Sequence, residues 1–149
     1  MVKKLLVKLL ATFIFVGMVT NPALAAKTPP PPDDDFSIGV QSLDLISSGD
    51  CTINDNGDRT ISSRGRSFTQ YVVDSVGVKL FLQKWNGSSW TDIASSVTFT
   101  EYNSDYADGY YKFSDVQPGY YYRIKAQHSA EDGGTKEQTE SFSPYKYIN

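Results

Sequence analysis

The stretch of sequence that decides the fold is residues 116–128, which read Val-Gln-Pro-Gly-Tyr-Tyr-Tyr-Arg-Ile-Lys-Ala-Gln-His. Pro118 and Gly119 predict a turn, because proline fixes φ and glycine accepts positive φ. Side chains of the extended chain that follows alternate between two faces. One face carries Tyr120, Tyr122, Ile124 and Ala126, and the other carries Tyr121, Arg123, Lys125 and Gln127. We therefore predict a central strand with one apolar face and one face of rings and cations.

A second run has the cleanest alternation in the chain. Its residues on one face are Val76, Val78, Leu80 and Leu82, and those on the other are Gly77, Lys79, Phe81 and Gln83. A slip of one residue would expose the whole apolar set, so this run fixes the register of its sheet. Other short alternating runs are separated by Gly, Asn, Asp and Ser, and no segment has an apolar repeat at helical spacing. The pattern predicts an all-β, antiparallel domain.

The turns between these runs are also readable. Asn86–Ser89 predicts a four-residue loop that pairs Trp85 with Trp90, while a two-residue Asn86-Gly87 turn would place Trp85 opposite Ser88, and both stay open here. Residues 54–58 predict a hairpin turn. Upstream of it, Ile38, Val40, Leu43 and Leu45 are expected in a first strand, and Cys51 and Ile53 share a face.

The less regular segments give weaker patterns. Residues 101–109 are polar and predict a loop, and residues 129–134 predict a hairpin loop. Residues 135–148 are expected to form the last strand. Pro144 has no N–H to donate, so it must lie at an edge or a bulge of that strand.

The run Val-Gln-Pro-Gly-Tyr-Tyr-Tyr at 116–122 resembles the corner motif of fibronectin type III and related immunoglobulin-like domains. The resemblance implies an antiparallel β-sandwich of about seven strands, in which the Tyr122 hydroxyl bonds back to upstream backbone. Ile124 stands where antibody-type domains place a bridging cysteine, and Cys51 has no partner in the sequence. The core is therefore expected to hold by apolar packing alone, with Cys51 buried.

Residues 80–90, 119–123 and 126–130 are similar to a group of small uncharacterised secreted proteins, mostly from Gram-positive bacteria. The resemblance covers about residues 43–149 and implies no activity and no binding residues.

The N-terminal segment predicts export. Residues 1–26 have lysines, an apolar run and then Ala23-Leu24-Ala25, which is typical of a cleaved secretory signal peptide. Residues 27–36 contain four prolines and three aspartates, and we predict an extended, disordered linker. Residues 37–149 are expected to form one β-sandwich domain. We predict a secreted, extracellular protein, with non-covalent retention at the cell surface left open and no membrane insertion after signal cleavage.

Charge and motifs exclude several functions. The net charge is −3, and cleavage of the signal peptide would leave 11 basic and 17 acidic residues, a net charge of −6. The sequence has no block of basic residues that could follow a phosphate backbone, so no nucleic-acid partner is expected. The sequence contains neither a Gly-x-Ser-x-Gly elbow nor a His-Glu-x-x-His motif. A Cys51–His128 pair would need the fold to bring the two together, and Glu101, Asp105 and Asp108 could converge on a cation. We predict no enzyme, no cofactor and no metal site, with a glycan-active enzyme as the weaker alternative.

Binding has the better physical basis. If the strands around Leu80 and Ile124 are neighbours, their outer residues form one aromatic and cationic patch. The candidate ligand-binding residues are Phe81, Trp85, Trp90, Tyr121, Arg123 and Lys125. Flat rings of this kind stack on sugars or capture peptides, although the same residues could form a self-contained ladder of cations over rings. We expect a non-catalytic binding domain for an extracellular glycan or protein, or alternatively a self-associating structural surface protein.

Overall fold

The computed structural model describes residues 29–31 and 43–149, and its second part consists of strands and short turns. The six strands are β1 (Ile46–Asp55), β2 (Ile61–Trp85), β3 (Trp90–Phe113), β4 (Tyr120–Asp132), β5 (Thr135–Phe142) and β6 (Lys146–Ile148). The prediction of an all-β, antiparallel domain is confirmed. Within the described ranges, no helix has the length and apolar character needed to cross a bilayer. The predicted signal peptide, Ile38 and Val40 lie outside those ranges.

The 25-residue strand β2 is the centre of the sheet. Its first half pairs with β1 and its second half with β4, while β3 runs antiparallel along the other side of both halves. The pairing between β2 and β3 is interrupted between Phe68 and Val73, and the sheet bends there. Strands β5 and β6 both pair with β4.

The bend brings the two halves of β2 face to face. The Ser67 hydroxyl donates to the Gly77 carbonyl oxygen at 2.9 Å. A β-carbon at Gly65 would lie 2.6 Å from the Leu80 side chain, so only glycine allows this approach. The described residues form one curled sheet of six strands, and the expected immunoglobulin-like, fibronectin type III-like sandwich of about seven strands is not confirmed.

The concave side of the curled sheet holds the core. The larger of its two buried clusters consists of Cys51, Ile53, Ile61, Val78, Leu80, Leu82, Phe113, Val116, Tyr122, Ile124, Ala126 and Ile148. Most of the alternating apolar residues of the two decisive stretches are in this cluster, with Tyr120 packed against it and Val76 in the smaller cluster. Cys51 is buried, as expected, and the core contains no disulfide bond among the described residues.

One predicted loop is wrong, and a predicted hairpin loop is shorter than expected. Residues 101–109 belong to the continuous strand β3, whose inward residues Ala107 and Gly109 are too small to give an apolar pattern. Strand β4 extends to Asp132, so the turn into β5 contains only Gly133 and Gly134, both with positive φ.

The predicted last strand is interrupted in the structure. It consists of β5 and β6, separated by residues 143–145. Pro144 lies in this gap, where no ladder hydrogen bond is required of it.

The Glu137 side chain joins β5 to the chain at the start of β1. The Glu137 carboxylate accepts hydrogen bonds from the backbone N–H groups of Asp44, Leu45 and Ile46 at 2.7–3.0 Å. Partial burial would raise the pKa of Glu137, but these three N–H groups outweigh it and lower the pKa. Glu137 thus holds the beginning of the domain against its second-last strand.

Candidate binding face

The convex side of the sheet carries the aromatic and cationic residues. We call this surface the aromatic face, and its members are Phe81, Trp85, Trp90, Tyr121, Arg123, Lys125, Phe142, Tyr145 and Tyr147. The strand register arranges the face in rows, because directly paired residues point the same way. Phe81 pairs with Lys125 and Lys125 with Phe142, while Trp85 pairs with Trp90 and Tyr121 with Tyr147.

The cations lie over the rings. The Arg123 guanidinium carbon is 4.5 Å from the Trp90 ring centroid and 4.3 Å from that of Phe142. The Lys125 ammonium lies 4.5 Å from the Phe81 centroid. These distances are within the range of cation–π attraction, so the ladder of cations over rings is present.

A polar chain fixes the same cations from the side. The Arg123 Nε–H donates to Gln83 Oε1, Gln83 Nε2 donates to Asp92 Oδ1, and Lys125 donates to Asp92 Oδ2, each at 2.7 Å. Burial would raise the pKa of Asp92, but the hydrogen bonds from Lys125 and Gln83 outweigh it, and the pKa is lowered. Asp92 therefore stays charged at neutral pH, and the side chains of the face are held in one arrangement.

Three tyrosines extend the face beyond the cations. The ring of Tyr121 lies 5.6 Å from that of Tyr145, edge to face, and 4.9 Å from that of Tyr147. Tyr145 also approaches Trp90, with 6.2 Å between ring centroids. All of these rings are half-buried, so each keeps part of its surface available.

The two tryptophans form a pair at the end of the β2–β3 hairpin. Trp85 is opposite Trp90, with ring centroids 5.4 Å apart, and the four-residue loop is confirmed against the two-residue alternative. The Asn86 side-chain oxygen accepts from the backbone N–H groups of Ser88 and Ser89, which closes the loop. We call Trp85 and Trp90 the tryptophan pair.

The environment of the tryptophan pair is unusual for an outer face. Trp85 is only 6% exposed although it points to the convex side. Its indole N–H donates to the carbonyl oxygen of Pro29 at 3.0 Å, and Pro31 is buried. The Trp90 indole nitrogen is buried and is the one such side-chain donor without a hydrogen-bond partner in the described part of the chain.

The structure brings the six predicted binding residues onto one face, and it adds residues that the sequence did not indicate. Phe142, Tyr145 and Tyr147 join the face because β5 and β6 both pair with β4. The alternation of Tyr145 and Tyr147 is visible in the sequence. Because it is interrupted at Pro144, the sequence does not show which strand these residues pair with. Nothing in the sequence around Asp92 indicates a role at this face, apart from its position just after the hairpin.

The two candidate catalytic residues lie in the interior, joined by a serine. The Ser141 hydroxyl is 3.6 Å from the Cys51 sulfur and 2.8 Å from His128 Nε2, and His128 Nδ1 is 2.8 Å from the Ser67 hydroxyl. Burial raises the pKa of the Cys51 thiol to about 11 and lowers the pKa of His128 to about 4. Both groups are therefore neutral near pH 7, whereas a nucleophilic pair needs a thiolate.

The buried imidazole predicts a specific pH dependence of stability. Between pH 6.5 and about pH 4 the unfolded chain binds a proton at His128 that the folded chain does not. The free energy of unfolding should therefore fall as the pH is lowered through this window, by up to about 3 kcal/mol from this group. Urea denaturation at pH 7, 5.5 and 4 measures it.

Carboxylates titrate in the lower part of the same window, so a variant separates the two contributions. In His128→Gln the loss of stability between pH 6.5 and pH 4 should be smaller than in the unaltered chain. Parallel stability curves for the two proteins would show that His128 is not the responsible group.

The acidic residues Glu101, Asp105 and Asp108 all belong to β3. Asp108 forms an ion pair with Arg64, with 2.5 Å between Oδ2 and Nη2, and this pair lowers the pKa of Asp108. Among the residues that the structure describes, no group of three or more His, Cys, Asp or Glu is placed to hold a metal ion.

Comparison with known proteins leaves the face as the main guide to function. No protein-family model matches the chain, and no curated protein sequence matches it significantly. The chemistry of the aromatic face is consequently the basis for a function.

Proposed function

We infer that this chain is a secreted, non-catalytic binding domain whose aromatic face recognises an extracellular glycan or protein. The observation that carries the proposal is the set of half-buried rings held in fixed positions by Arg123, Lys125 and their polar partners. A ligand that meets a preorganised face loses less free energy to the ordering of side chains. Export is supported by the signal-like residues 1–26.

The interior supports a non-catalytic role. Cys51 and His128 lie beneath the sheet in their neutral forms, and each has hydrogen-bond partners that account for its burial. A histidine held between two serines satisfies a polar core position. The buried chain of Cys51, Ser141, His128 and Ser67 is best explained as a structural element.

The corner tyrosine supports the immunoglobulin-like part of the sequence interpretation. Tyr122 is fully buried, and its hydroxyl donates to the Gln117 carbonyl oxygen at 2.9 Å, five residues upstream. We propose that the domain is a divergent relative of the immunoglobulin-like sandwiches. In this domain, one curled sheet supplies both layers. This origin agrees with a binding role, which is common among such domains but does not follow from the fold.

The proposal predicts which substitutions abolish binding. The protein is incubated with insoluble cell-wall polymer, with soluble wall polysaccharide and with extracellular proteins of the producing organism, and the bound fraction is measured. Tyr121→Ala and Tyr145→Ala should each weaken retention by about tenfold or more, since a central aromatic contact contributes about 2 kcal/mol. Circular dichroism should show an unchanged fold, because both rings are half-exposed.

Matched controls are available on β3. Tyr102→Ala and Tyr110→Ala remove rings that are 73% and 63% exposed and belong to another part of the surface. They should leave retention unchanged. Equal losses for both pairs of variants, or no retention on any of the three materials, would contradict the proposal.

A second candidate function, self-association, is favoured by a separate observation. Among the described strands, β3 pairs with β2 alone. It exposes large hydrophobic side chains, which are Ile93, Val97, Tyr102, Tyr110 and Tyr111. Unpaired edges with apolar side chains are templates for a further strand. Concentration-dependent oligomers that persist in Tyr121→Ala and disappear in a Val97→Lys variant would favour this function over recognition by the aromatic face.

A further inference from the structure

The proline run makes a contact with the domain that the sequence does not indicate. The proline run of residues 29–32 was expected to be a spacer, yet Pro29 accepts a hydrogen bond from the Trp85 indole and Pro31 is buried. Trp85 itself is 6% exposed on a side of the sheet that faces outward. Pro29 therefore lies at the tryptophan pair and not away from the domain.

This contact has the chemistry of proline recognition. Consecutive prolines form a left-handed polyproline II helix whose carbonyl oxygens have no internal hydrogen bonds and whose shape is already ordered before binding. Proteins that recognise it use aromatic residues for the rings, together with donors for the carbonyls. The tryptophan pair supplies two indole rings 5.4 Å apart and an N–H donor 3.0 Å from a proline carbonyl.

The second indole adds an independent observation. The Trp90 nitrogen is buried without a hydrogen-bond partner among the described residues, and it lies beside the indole that already binds a carbonyl. A buried donor without a partner is destabilising, so a carbonyl oxygen of a ligand would be stabilising there. A second donor of this kind suits a ligand with repeated, unpaired carbonyl groups.

We propose that the tryptophan pair is a polyproline II binding site, that residues 29–31 occupy it within the chain, and that a proline-rich segment of another protein can replace them. The inference rests on the proposed binding function and names the ligand class for one end of the aromatic face. An internal segment competes at an effective concentration of the order of millimolar, so a partner binds well only when it exceeds that competition. Residues 29–31, which we call the tail, thereby set a threshold affinity that a partner must exceed.

The first part of the test measures occupancy of the site. The chain has two tryptophans, so a ¹⁵N-labelled sample gives two indole N–H signals, which Trp85→Phe assigns. Replacing Pro29, Pro30 and Pro31 by glycine keeps the carbonyls but removes the preformed helix. The Trp85 indole proton should then exchange with solvent about tenfold faster or more, which corresponds to about 1.4 kcal/mol of lost protection. Unchanged exchange would overturn occupancy by the tail.

The second part measures binding of a separate segment. The probe is a synthetic Lys-Thr-Pro-Pro-Pro-Pro peptide, and its control has glycine in place of the prolines. The glycine-tail variant should bind the proline peptide at least about tenfold more tightly than the unaltered chain, with both indole signals shifted. Trp85→Phe in the glycine-tail background keeps a ring but removes the donor, and it should weaken binding about fivefold, the value of one hydrogen bond.

The outcomes distinguish this inference from the proposed function. If the proline peptide shifts neither indole signal at millimolar concentration while retention on wall polymer still depends on Tyr121, the inference is wrong and the proposed function stands. If the peptide binds and none of the three materials is retained, the inference about the tryptophan pair holds and recognition of a glycan or protein by the rest of the aromatic face is contradicted. If the peptide and its glycine control bind equally, the site does not select polyproline II and the inference is overturned.

Discussion

Gly49→Ala is expected to lower the free energy of unfolding by about 3 kcal/mol, because its β-carbon has no space. That atom would lie 2.5 Å from Cδ2 of His128 and 2.6 Å from Cγ and Cε1 of the same ring. The ring cannot move aside without loss, since Ser67 and Ser141 hold both of its nitrogens at 2.8 Å. Either the strand shifts or the two hydrogen bonds break, and urea denaturation measures the cost.

Two further variants test the cause. Ser48→Ala changes an exposed neighbour in β1 and should alter stability by less than about 0.5 kcal/mol. Combining Gly49→Ala with His128→Ala makes space for the new methyl group, so the two losses should be less than additive. Full additivity, or a Gly49→Ala protein as stable as the unaltered chain, would show that the ring is not packed on Gly49.

The sequence predicts the parts of the fold that depend on alternation within one strand. Val76, Val78, Leu80 and Leu82 are all at most 2% exposed, as their spacing indicates. The outer residues of β2 and β4 share a face because strand direction and register follow from the same alternation. The aromatic face could be anticipated for this reason, and the hairpin at Asn86–Ser89 brought the second tryptophan onto it.

The remaining features depend on contacts between residues far apart in the chain. The curl of the sheet rests on close approaches at Gly65 and Gly109, where the absence of a side chain leaves no pattern to read. The small residue Ala107 likewise hid the middle of β3, and the polar residues around it suggested a loop. Small residues facing inward are therefore the reason why a loop was expected at residues 101–109, where the structure has the middle of one long strand.

The contact of the tryptophan pair with Pro29 could not be predicted for a related reason. The hydrogen bond between Trp85 and Pro29 joins residues 56 positions apart, and nothing near Pro29 in the sequence indicates a partner. Similarly, Glu137 bonds to backbone groups more than 90 residues upstream. Such contacts are made by the folded surface as a whole, and local propensity contains no information about them.

Tyr122→Ala is expected to have the largest effect of any substitution considered, a loss of about 4 kcal/mol in the free energy of unfolding. Tyr122 is fully buried, lies at the centre of the larger core cluster, and is among the largest fully buried side chains among the described residues. No disulfide bond among the described residues supports this core. Circular dichroism during thermal and urea unfolding should show a protein that is largely unfolded at moderate temperature.

Tyr122→Phe separates the ring from its hydroxyl. The ring still packs, but the Gln117 carbonyl loses a donor that lies 2.9 Å away, so a loss of about 1–2 kcal/mol is expected. The matched control is Tyr110→Phe, whose hydroxyl donates to the Ser62 side chain at 2.8 Å on an exposed part of the surface. Water replaces that bond, so Tyr110→Phe should cost less than about 0.5 kcal/mol. Equal effects of the two changes would mean that the corner hydrogen bond is no stronger than a surface contact, and that Tyr122 stabilises the domain through its ring alone.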